Sequence, residues 1–309
     1  MDKQKFYTNK RNIIILAVIC CMLWGSAYPA VKWGYEFFNI KADDIASKFI
    51  FAGYRFALAG IIVLIYQIIL NKNIFDFKLQ EYKQMFMLGI VNTTIQYIFF
   101  YVGLSYTTGV RGSIINGTGT FMSIILAHFI YNNDKISFNK VIGCIIGFSG
   151  VVLVNLNGAG ALNGAFNIMG EGFILVSTCA FAVGSIYSKH ITQKMDASIV
   201  TGYQLLIGGV FLTVLGYAFG GKLVGFNFKS TTLLIYMALL SSVAFVIWTQ
   251  LFKFNKVGKI AVFNFLVPVF GTLLSGIFLK ENIFDFKILI ALILVCTGIY
   301  LVNRTKESE

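Results

Sequence analysis

Uncharged polar and aromatic side chains recur at helical spacing within the most apolar stretches of this sequence. The residues spaced three or four apart, and so expected on shared helix faces, are Trp24 and Tyr28; Asn92, Gln96 and Phe99; Asn116 and Thr120; Phe181 and Ser185; Phe245 and Trp248; and Asn264 and Pro268. Amide and hydroxyl groups hydrogen bond a polar ligand without a fixed charge, while aromatic rings pack against its apolar part. The pattern predicts that these residues bind a small molecule, although packing between helices produces similar stripes.

No catalytic constellation accompanies these residues. Nucleophilic or metal chemistry needs His, Cys or carboxylate side chains brought together. The two histidines, His128 and His190, fall near predicted helix ends, and the five cysteines show neither metal-ligand spacing nor a paired extracellular pattern. We therefore expect a protein that is not an enzyme and that holds no metal and no cofactor.

The candidate binding residues lie in stretches apolar enough to cross a membrane. The 309 residues are 57% hydrophobic and 12% charged, whereas a soluble protein carries about 25% charged residues. A bilayer span needs roughly 20 mostly apolar residues. The segments that meet this need are about 12–32, 46–70, 84–107, 111–131, 138–156, 171–190, 198–219, 231–252, 258–279 and 286–303. We predict an all-α integral membrane protein with ten transmembrane helices.

The sequence is duplicated. Residues 110–155 align without a gap with residues 258–303 at an offset of 148, which pairs Asn116 with Asn264 and Gly150 with Gly298. A Gly- and Asn-rich link separates a first repeat, 1–157, from a second, 165–309. Five helices in each half would make the second half enter the membrane from the opposite side, as in inverted-repeat transporters, whose substrate sites lie between the repeats.

The charge distribution predicts the orientation in the membrane. The chain has 25 Lys and Arg against 13 Asp and Glu, a formal net charge of +12. In a soluble chain such a charge would suggest nucleic acid, but here the excess lies mainly in alternate loops, as the positive-inside rule requires. We predict a multi-pass plasma-membrane protein with both termini cytoplasmic, whose partners are a small-molecule substrate, the lipid bilayer and, as an open possibility, a second copy of the chain, but no nucleic acid.

All thirteen carboxylates fall in tails, loops or helix ends. A carboxylate within the membrane is the usual proton relay or counter-charge for a cation. The distribution argues against simple carboxylate-coupled proton antiport and against a pocket for hydrophobic cations. A neutral or zwitterionic substrate, moved by facilitated diffusion or exchange, fits better.

Arg55 is the one charged residue well inside a predicted helix, roughly 13 Å from its start at 1.5 Å per residue. An unpaired cation there is costly, so it must find carbonyl groups, water or an acid. It is either an anchor for a substrate carboxylate or phosphate, or a packing and gating residue that bonds carbonyl groups or pairs with Glu36. We favour the structural role, because the equivalent residue of the second repeat, Gln204, is neutral.

Three motifs resemble those of a known family. They are Trp24-Gly25-Ser26, Gly53-Tyr54-Arg55-Phe56, and Asn264 to Phe270 followed by Leu279-Lys280-Glu281. They resemble the EamA-type branch of the drug/metabolite transporter superfamily. The resemblance implies ten helices in inverted five-helix halves, and alternating access to a cavity lined by helices 1, 3, 4, 6, 8 and 9. It also implies structural or gating roles for Arg55 and Glu281, since the family has arginine at the first position whatever the substrate.

The first repeat departs from that family in two places. Thr120 stands where the family has proline, and Asn133 stands where it has glutamate. We therefore do not expect the two halves to move equivalently.

We predict a transporter of small organic metabolites such as amino acids or their derivatives, with export as the favoured direction. Trp24, Phe99, Phe245 and Trp248 would form an aromatic wall, with Asn116 and other amides binding polar groups. The alternative is an efflux carrier of lipophilic drugs. A membrane-embedded enzyme or scaffold has less support, because the sequence offers no inward-facing pair of acid and histidine.

Overall fold

The computed structural model describes residues 3–107, 112, 115–155, 166–279 and 286–304, and every regular element in these ranges is helical. A short N-terminal helix, Lys3–Thr8, precedes the others. The numbered helices are α1 (Lys10–Phe37), α2 (Ile45–Ile69), α3 (Leu79–Ser105), α4 (Ile115–Ile130), α5 (Phe138–Asn155), α6 (Ile168–Thr192), α7 (Ala197–Ala218), α8 (Phe228–Phe254), α9 (in consecutive pieces Val257–Ala261, Val262–Phe265 and Leu266–Leu279) and α10 (Phe286–Asn303).

Seven of these helices, namely α1, α2, α3, α6, α7, α8 and α9, are long and apolar enough to cross a membrane. The described parts of α4, α5 and α10 contain shorter apolar helices, Ile115–Ile130, Phe138–Leu153 and Leu289–Asn303. Each numbered helix overlaps one predicted segment, and the largest differences are at the ends, whereas the short N-terminal helix Lys3–Thr8 precedes all of the predicted segments. Pro29 lies inside α1, yet the helix continues to Phe37, beyond the predicted end near residue 32.

Two pairs of helices pack through glycines. In the pair α2 and α7, a Cβ atom at Gly60 would lie 2.4 Å from the backbone nitrogen of Leu206. In the pair α5 and α10, a Cβ atom at Gly298 would lie 2.5 Å from the carbonyl oxygen of Gly143. Only glycine permits such close backbone contact, which takes the place of hydrophobic association between helices in lipid.

Three of the long helices depart from α geometry. Residues Ile90–Ile95 of α3 and Ile168–Gly172 of α6 are π-helical, and Val262–Phe265 of α9 is a 3₁₀ segment. The α9 irregularity precedes Pro268 by one turn because proline has no N–H to bond the carbonyl of Asn264. The sequence predicts a weak point at Thr120 and Pro268 themselves. In α4 and in α9 the structure places the irregularity before these residues. In α4 it is a turn at Thr118, and in α9 it is the 3₁₀ segment Val262–Phe265. Irregular turns of this kind frequently mark functional sites.

Candidate functional site

Arg55 is held in the core of the bundle by neutral partners. It is 4% exposed, and its Nε donates a hydrogen bond of 2.8 Å to Ser241 Oγ of α8. Its guanidinium carbon lies 4.9 Å from the ring centroid of Phe56. The contact with Ser241 joins α2 of the first repeat to α8 of the second.

Three tyrosines complete the surroundings of this cation. The charge of Arg55 acts on Tyr35 of α1 and on Tyr97 and Tyr101 of α3. The predicted alternative of a pair with Glu36 does not occur, since the ion pairs among the described residues do not involve Arg55. Within the described part of the chain, the guanidinium therefore contacts a hydroxyl group and a ring and pairs with no carboxylate. We call Arg55, Tyr35, Tyr97, Tyr101 and Ser241 the Arg55 cluster.

An aromatic wall extends from this cluster. The ring centroid of Trp24 lies 5.5 Å from that of Phe245 and 4.9 Å from that of Trp248. Phe245 lies 6.1 Å from Phe56, and Phe56 lies 4.4 Å from Tyr97. Ring pairs in edge-to-face and tilted arrangements at these distances contribute stability beyond that of their buried area. The wall therefore runs from Trp248 of α8 to Tyr97 of α3 and ends beside Arg55.

Phe99 does not belong to this wall, contrary to the sequence prediction. Its ring packs at 5.1 Å against Phe173 of α6. The polar residues of the same face of α3 also turn to α6. A Cβ atom at Gly184 would lie 2.3 Å from Asn92 Oδ1, and Ser177 Oγ donates to the carbonyl oxygen of Gln96 at 2.9 Å. This face of α3 makes a helix contact, because its small and polar residues permit close approach.

Some buried polar atoms near these contacts have no hydrogen-bond partner among the residues that the structure describes. They include Asn92 Oδ1, Gln96 Oε1 and Trp248 Nε1. Most buried polar groups in proteins are hydrogen bonded, so each exception asks for an explanation such as a water or a ligand. Trp248 Nε1 is the only donor of the three, and it lies on the aromatic wall.

The equivalent residues Asn116 and Asn264 are both partly exposed. Among the described residues, neither side chain finds a hydrogen-bond partner. The neighbouring Thr120 is 1% exposed, and its hydroxyl donates to the carbonyl oxygen of Ala261 at 3.4 Å, which links α4 to α9 across the repeats. Pro268 is buried in the same region.

The remaining predicted residues are placed as follows. Tyr28 packs on the backbone of α9, since a Cβ atom at Gly271 would lie 2.9 Å from its ring. Ser185 of α6 is 3% exposed and Phe181 is partly buried. Glu281 lies outside the described residues. The structure thus brings Trp24, Phe245 and Trp248 together at the centre, and leaves the other predicted residues in the α3–α6 and α4–α9 contacts or, for Tyr28, against α9.

The sequence reasoning missed the tyrosines of the Arg55 cluster. Tyr97 and Tyr101 are four residues apart in α3, next to Gln96, and Tyr35 is one heptad after Tyr28 in α1. The recurrence of tyrosines at spacings of four and seven residues, which share a helix face, was the sequence signal that could have identified them.

The halves are joined by charge at the end of the bundle that holds the N-terminal helix, here called the N-terminal end. Asp134, between α4 and α5, accepts from Lys140 Nζ at 2.6 Å and from the backbone N–H of Gly258 at 3.0 Å. The Asp134 and Lys140 side chains are 1% and 7% exposed. Since Gly258 lies in the first turn of α9, the carboxylate also meets the positive end of that helix.

Further contacts close the same end. Lys189 of α6 donates to the carbonyl oxygen of Asn255, and Asn255 Nδ2 donates at 3.0 Å to that of Tyr7 in the N-terminal helix. Lys72 pairs with Asp196 at 2.6 Å. Burial alone would raise the pKa of Asp196, but the Lys72 hydrogen bond and charge and the N–H groups of α7 hold that pKa below its ordinary value.

The opposite end is closed without ion pairs among the residues described. The backbone N–H of Lys222 donates to Ser47 Oγ at 2.9 Å, and the hydroxyl groups of Tyr54 and Tyr217 lie 2.9 Å apart. Thr107 donates to Glu171 at 2.5 Å. Glu171 is 2% exposed, so it is more deeply buried than the sequence prediction of a helix-end carboxylate implies.

The comparisons with known proteins agree on a transporter. The model of the EamA-like transporter family matches residues 11–156 and again residues 168–304. A Bacillus subtilis protein named uncharacterized transporter YvbV is 26% identical over 304 residues, which cover 97% of this chain and 93% of that protein. A protein of Acidianus ambivalens, named an uncharacterized transporter in the sor 3'region, is 30% identical over 72% of this chain and 81% of its own length.

Two more distant matches extend the likeness. A WAT1-related chloroplastic protein of Arabidopsis thaliana is 21% identical over 93% of this chain and 68% of its own length. A solved crystal structure covers 95% of this chain with a TM-score of 0.77 at 14% identity, so it shows a shared fold alone. Both family matches together span most of the chain, and the helices are multiple and apolar. The protein is therefore a multi-pass membrane transporter that belongs to the EamA-like transporter family.

Proposed function

We propose that the protein exports small organic metabolites, of the class of amino acids and their derivatives, across the plasma membrane by alternating access. The observation that carries this proposal is the central wall of Trp24, Phe245 and Trp248, which is built from both repeats and adjoins a buried polar cluster. An amphipathic metabolite needs both kinds of surface. The three rings bury its apolar part, and the hydroxyl, amide and indole N–H groups bind its polar part.

Ten helices in two inverted halves are part of this proposal, with one repeat in residues 1–157 and the other in 165–309. The separate family matches to 11–156 and 168–304 support it. So does the packing of α2 on α7 and of α5 on α10, because helices in equivalent positions meet when a two-fold axis relates the halves. The excess of Lys and Arg in alternate loops supports cytoplasmic termini.

The binding site in this proposal includes Asn116 and Asn264, whose side chains have no partner within the described structure. Rocking of the halves would change the exposure of these side chains and of the aromatic wall. Two cavities of about 370 and 610 Å³ lie elsewhere, beside Phe121 and beside Asn9.

The second candidate, efflux of lipophilic drugs, is favoured by the size of the aromatic wall alone. It accounts less well for the cation and hydroxyl groups beside that wall. Comparison of metabolites inside and outside cells that express or lack the protein tests both candidates. Export of polar metabolites with unchanged resistance to neutral and cationic toxins supports our proposal, and resistance without any metabolite change contradicts it.

A further inference from the structure

Among the described residues, the cation of the Arg55 cluster has no counter-charge. Ser241 Oγ is the only hydrogen-bond acceptor that the described residues offer its guanidinium group, which carries five N–H donors. The guanidinium remains charged at any physiological pH. A cation that is 4% exposed in the core of a membrane protein is expected to pair with an acid or with several carbonyl groups.

Helix packing does not explain the charge. The equivalent residue of the second repeat, Gln204, is 1% exposed and bonds Thr93 Oγ1 at 3.5 Å. A neutral amide in α7 therefore makes the contact with α3 that is equivalent to the contact of Arg55 in α2 with α8. The sequence favours a structural role for Arg55, but the neutral surroundings of its guanidinium leave most of its donors unused.

We infer that the Arg55 cluster binds the carboxylate group of the transported molecule. A guanidinium group binds a carboxylate through two parallel hydrogen bonds, and the charge of Arg55 reaches Tyr97 and Tyr101, whose hydroxyl groups are further donors. The rings of Phe56 and Phe245 continue from the cation toward Trp24, so they receive the apolar part of the same molecule.

The charge balance selects the chemical class. The described cluster holds one cation and no carboxylate, so a single negative charge neutralises it. A phosphate group would need further cations, and an amine without a carboxylate would be repelled by Arg55. The substrate class is therefore a monocarboxylate with a flat or apolar body, and an amino acid is included because its amine can bind away from the cation.

This inference rests on the proposed transport function, and a first experiment separates the two. Metabolite exchange is measured in cells that produce the wild type, Arg55→Gln or the control Arg304→Gln. Arg304 also lies on a ring, at 6.0 Å from Tyr300, but at the end of α10 and away from the cluster. We expect the wild type and the control to move carboxylates and Arg55→Gln to move them at least tenfold more slowly. If the wild type moves nothing, the proposed function fails; if it moves only compounds without a carboxylate, the inference alone fails.

A second experiment measures binding directly with the purified full-length protein. The probes are 3-phenylpropanoate and its neutral counterpart 3-phenylpropanamide. We expect the acid to bind and Arg55→Gln to weaken it roughly tenfold to a hundredfold, as loss of a charged hydrogen bond does, with a smaller loss in Arg55→Lys. Tyr101→Phe should lower the affinity for 3-phenylpropanoate several-fold. This second variant keeps the inference testable if Arg55→Gln does not fold. Equal binding of acid and amide, or full affinity in the variants, overturns the inference.

Discussion

The closure at the N-terminal end can be tested by Asp134→Asn. The substitution keeps the shape of the side chain and an acceptor for the N–H of Gly258, but it leaves Lys140, 7% exposed, without its counter-charge. Loss of one member of a buried ion pair costs about 3–5 kcal/mol. That cost falls on the closed arrangement, because water reaches Lys140 once α9 moves away. The lower figure, about 3 kcal/mol, shifts the ratio of closed to open molecules roughly a hundredfold toward open.

Cys21 is a native reporter of this shift. It is fully buried, and its Sγ contacts the carbonyl oxygen of Phe263 at 3.2 Å, at the start of α9. Its rate of alkylation by N-ethylmaleimide, followed by peptide mass spectrometry, rises with the fraction of molecules in which α9 has moved. The wild-type protein, labelled under the same conditions, serves as the reference. We expect Asp134→Asn to raise the Cys21 rate by about the same hundredfold.

Two further variants test whether the lost charge of Asp134 causes the faster alkylation of Cys21. Lys72→Gln breaks the pair with Asp196, whose side chains are 29% and 26% exposed, and pairs of that kind are worth about 0–1 kcal/mol. It should change the Cys21 rate less than about fivefold. Asp134→Asn combined with Lys140→Met removes both charges and should return the rate most of the way to that of the wild type. A double variant that labels as fast as Asp134→Asn refutes the reasoning.

Three further predictions follow from the packing, the site and the orientation. Gly60→Val should lower the unfolding free energy by about 1–3 kcal/mol or prevent folding, since a Cβ atom there meets the backbone of α7. The control Gly172→Ala should leave thermal unfolding nearly unchanged, because the atom nearest to its added Cβ lies 3.6 Å away. Equal effects of both would contradict the packing argument. Asn264→Ala should weaken substrate affinity roughly three- to a hundredfold in transport assays, with little change in expression, and wild-type affinity would remove this residue from the site. A cysteine at Ala42 should react with an impermeant reagent outside intact cells and one at Asn73 should not; labelling of Asn73 would reverse the proposed orientation.

Sequence patterns located the helices because span length and apolar composition are local properties. They also grouped Trp24 with Phe245 and Trp248, which are three residues apart and share a face of α8. They did not find which face of α3 turns to the centre. Gln96 lies on one face and Tyr97 on the next, and both faces carry polar atoms.

The ambiguity in α3 has a physical origin. In a soluble protein the apolar face marks the inside, but lipid gives no such contrast between two mixed faces. The face with Asn92 and Gly103 meets α6, where small residues allow close packing, and the face with Tyr101 meets the charge of Arg55. Only knowledge of which helices are neighbours resolves this choice. The roles of Asn116 and Asn264 remain predictions of the same kind.

The duplicated sequence does not duplicate the closure. At the offset of 148, the counterparts of Asp134 and Lys140 are Asn282 and Ile288, and the counterpart of Gly258 is Val110. The Asp134–Lys140 pair, whose carboxylate also bonds Gly258 of the other repeat, therefore has no charged counterpart at the aligned positions of the second half. The described contacts of the opposite end are between neutral groups or with Glu171. Two end states held by such different interactions differ in free energy. A ligand shifts their balance only by its differential affinity for the two states. In the alternating access that we propose, a substrate that enters from the N-terminal end must bind the open form more tightly by about the free energy of the Asp134 contact, so this contact affects the balance between the two end states.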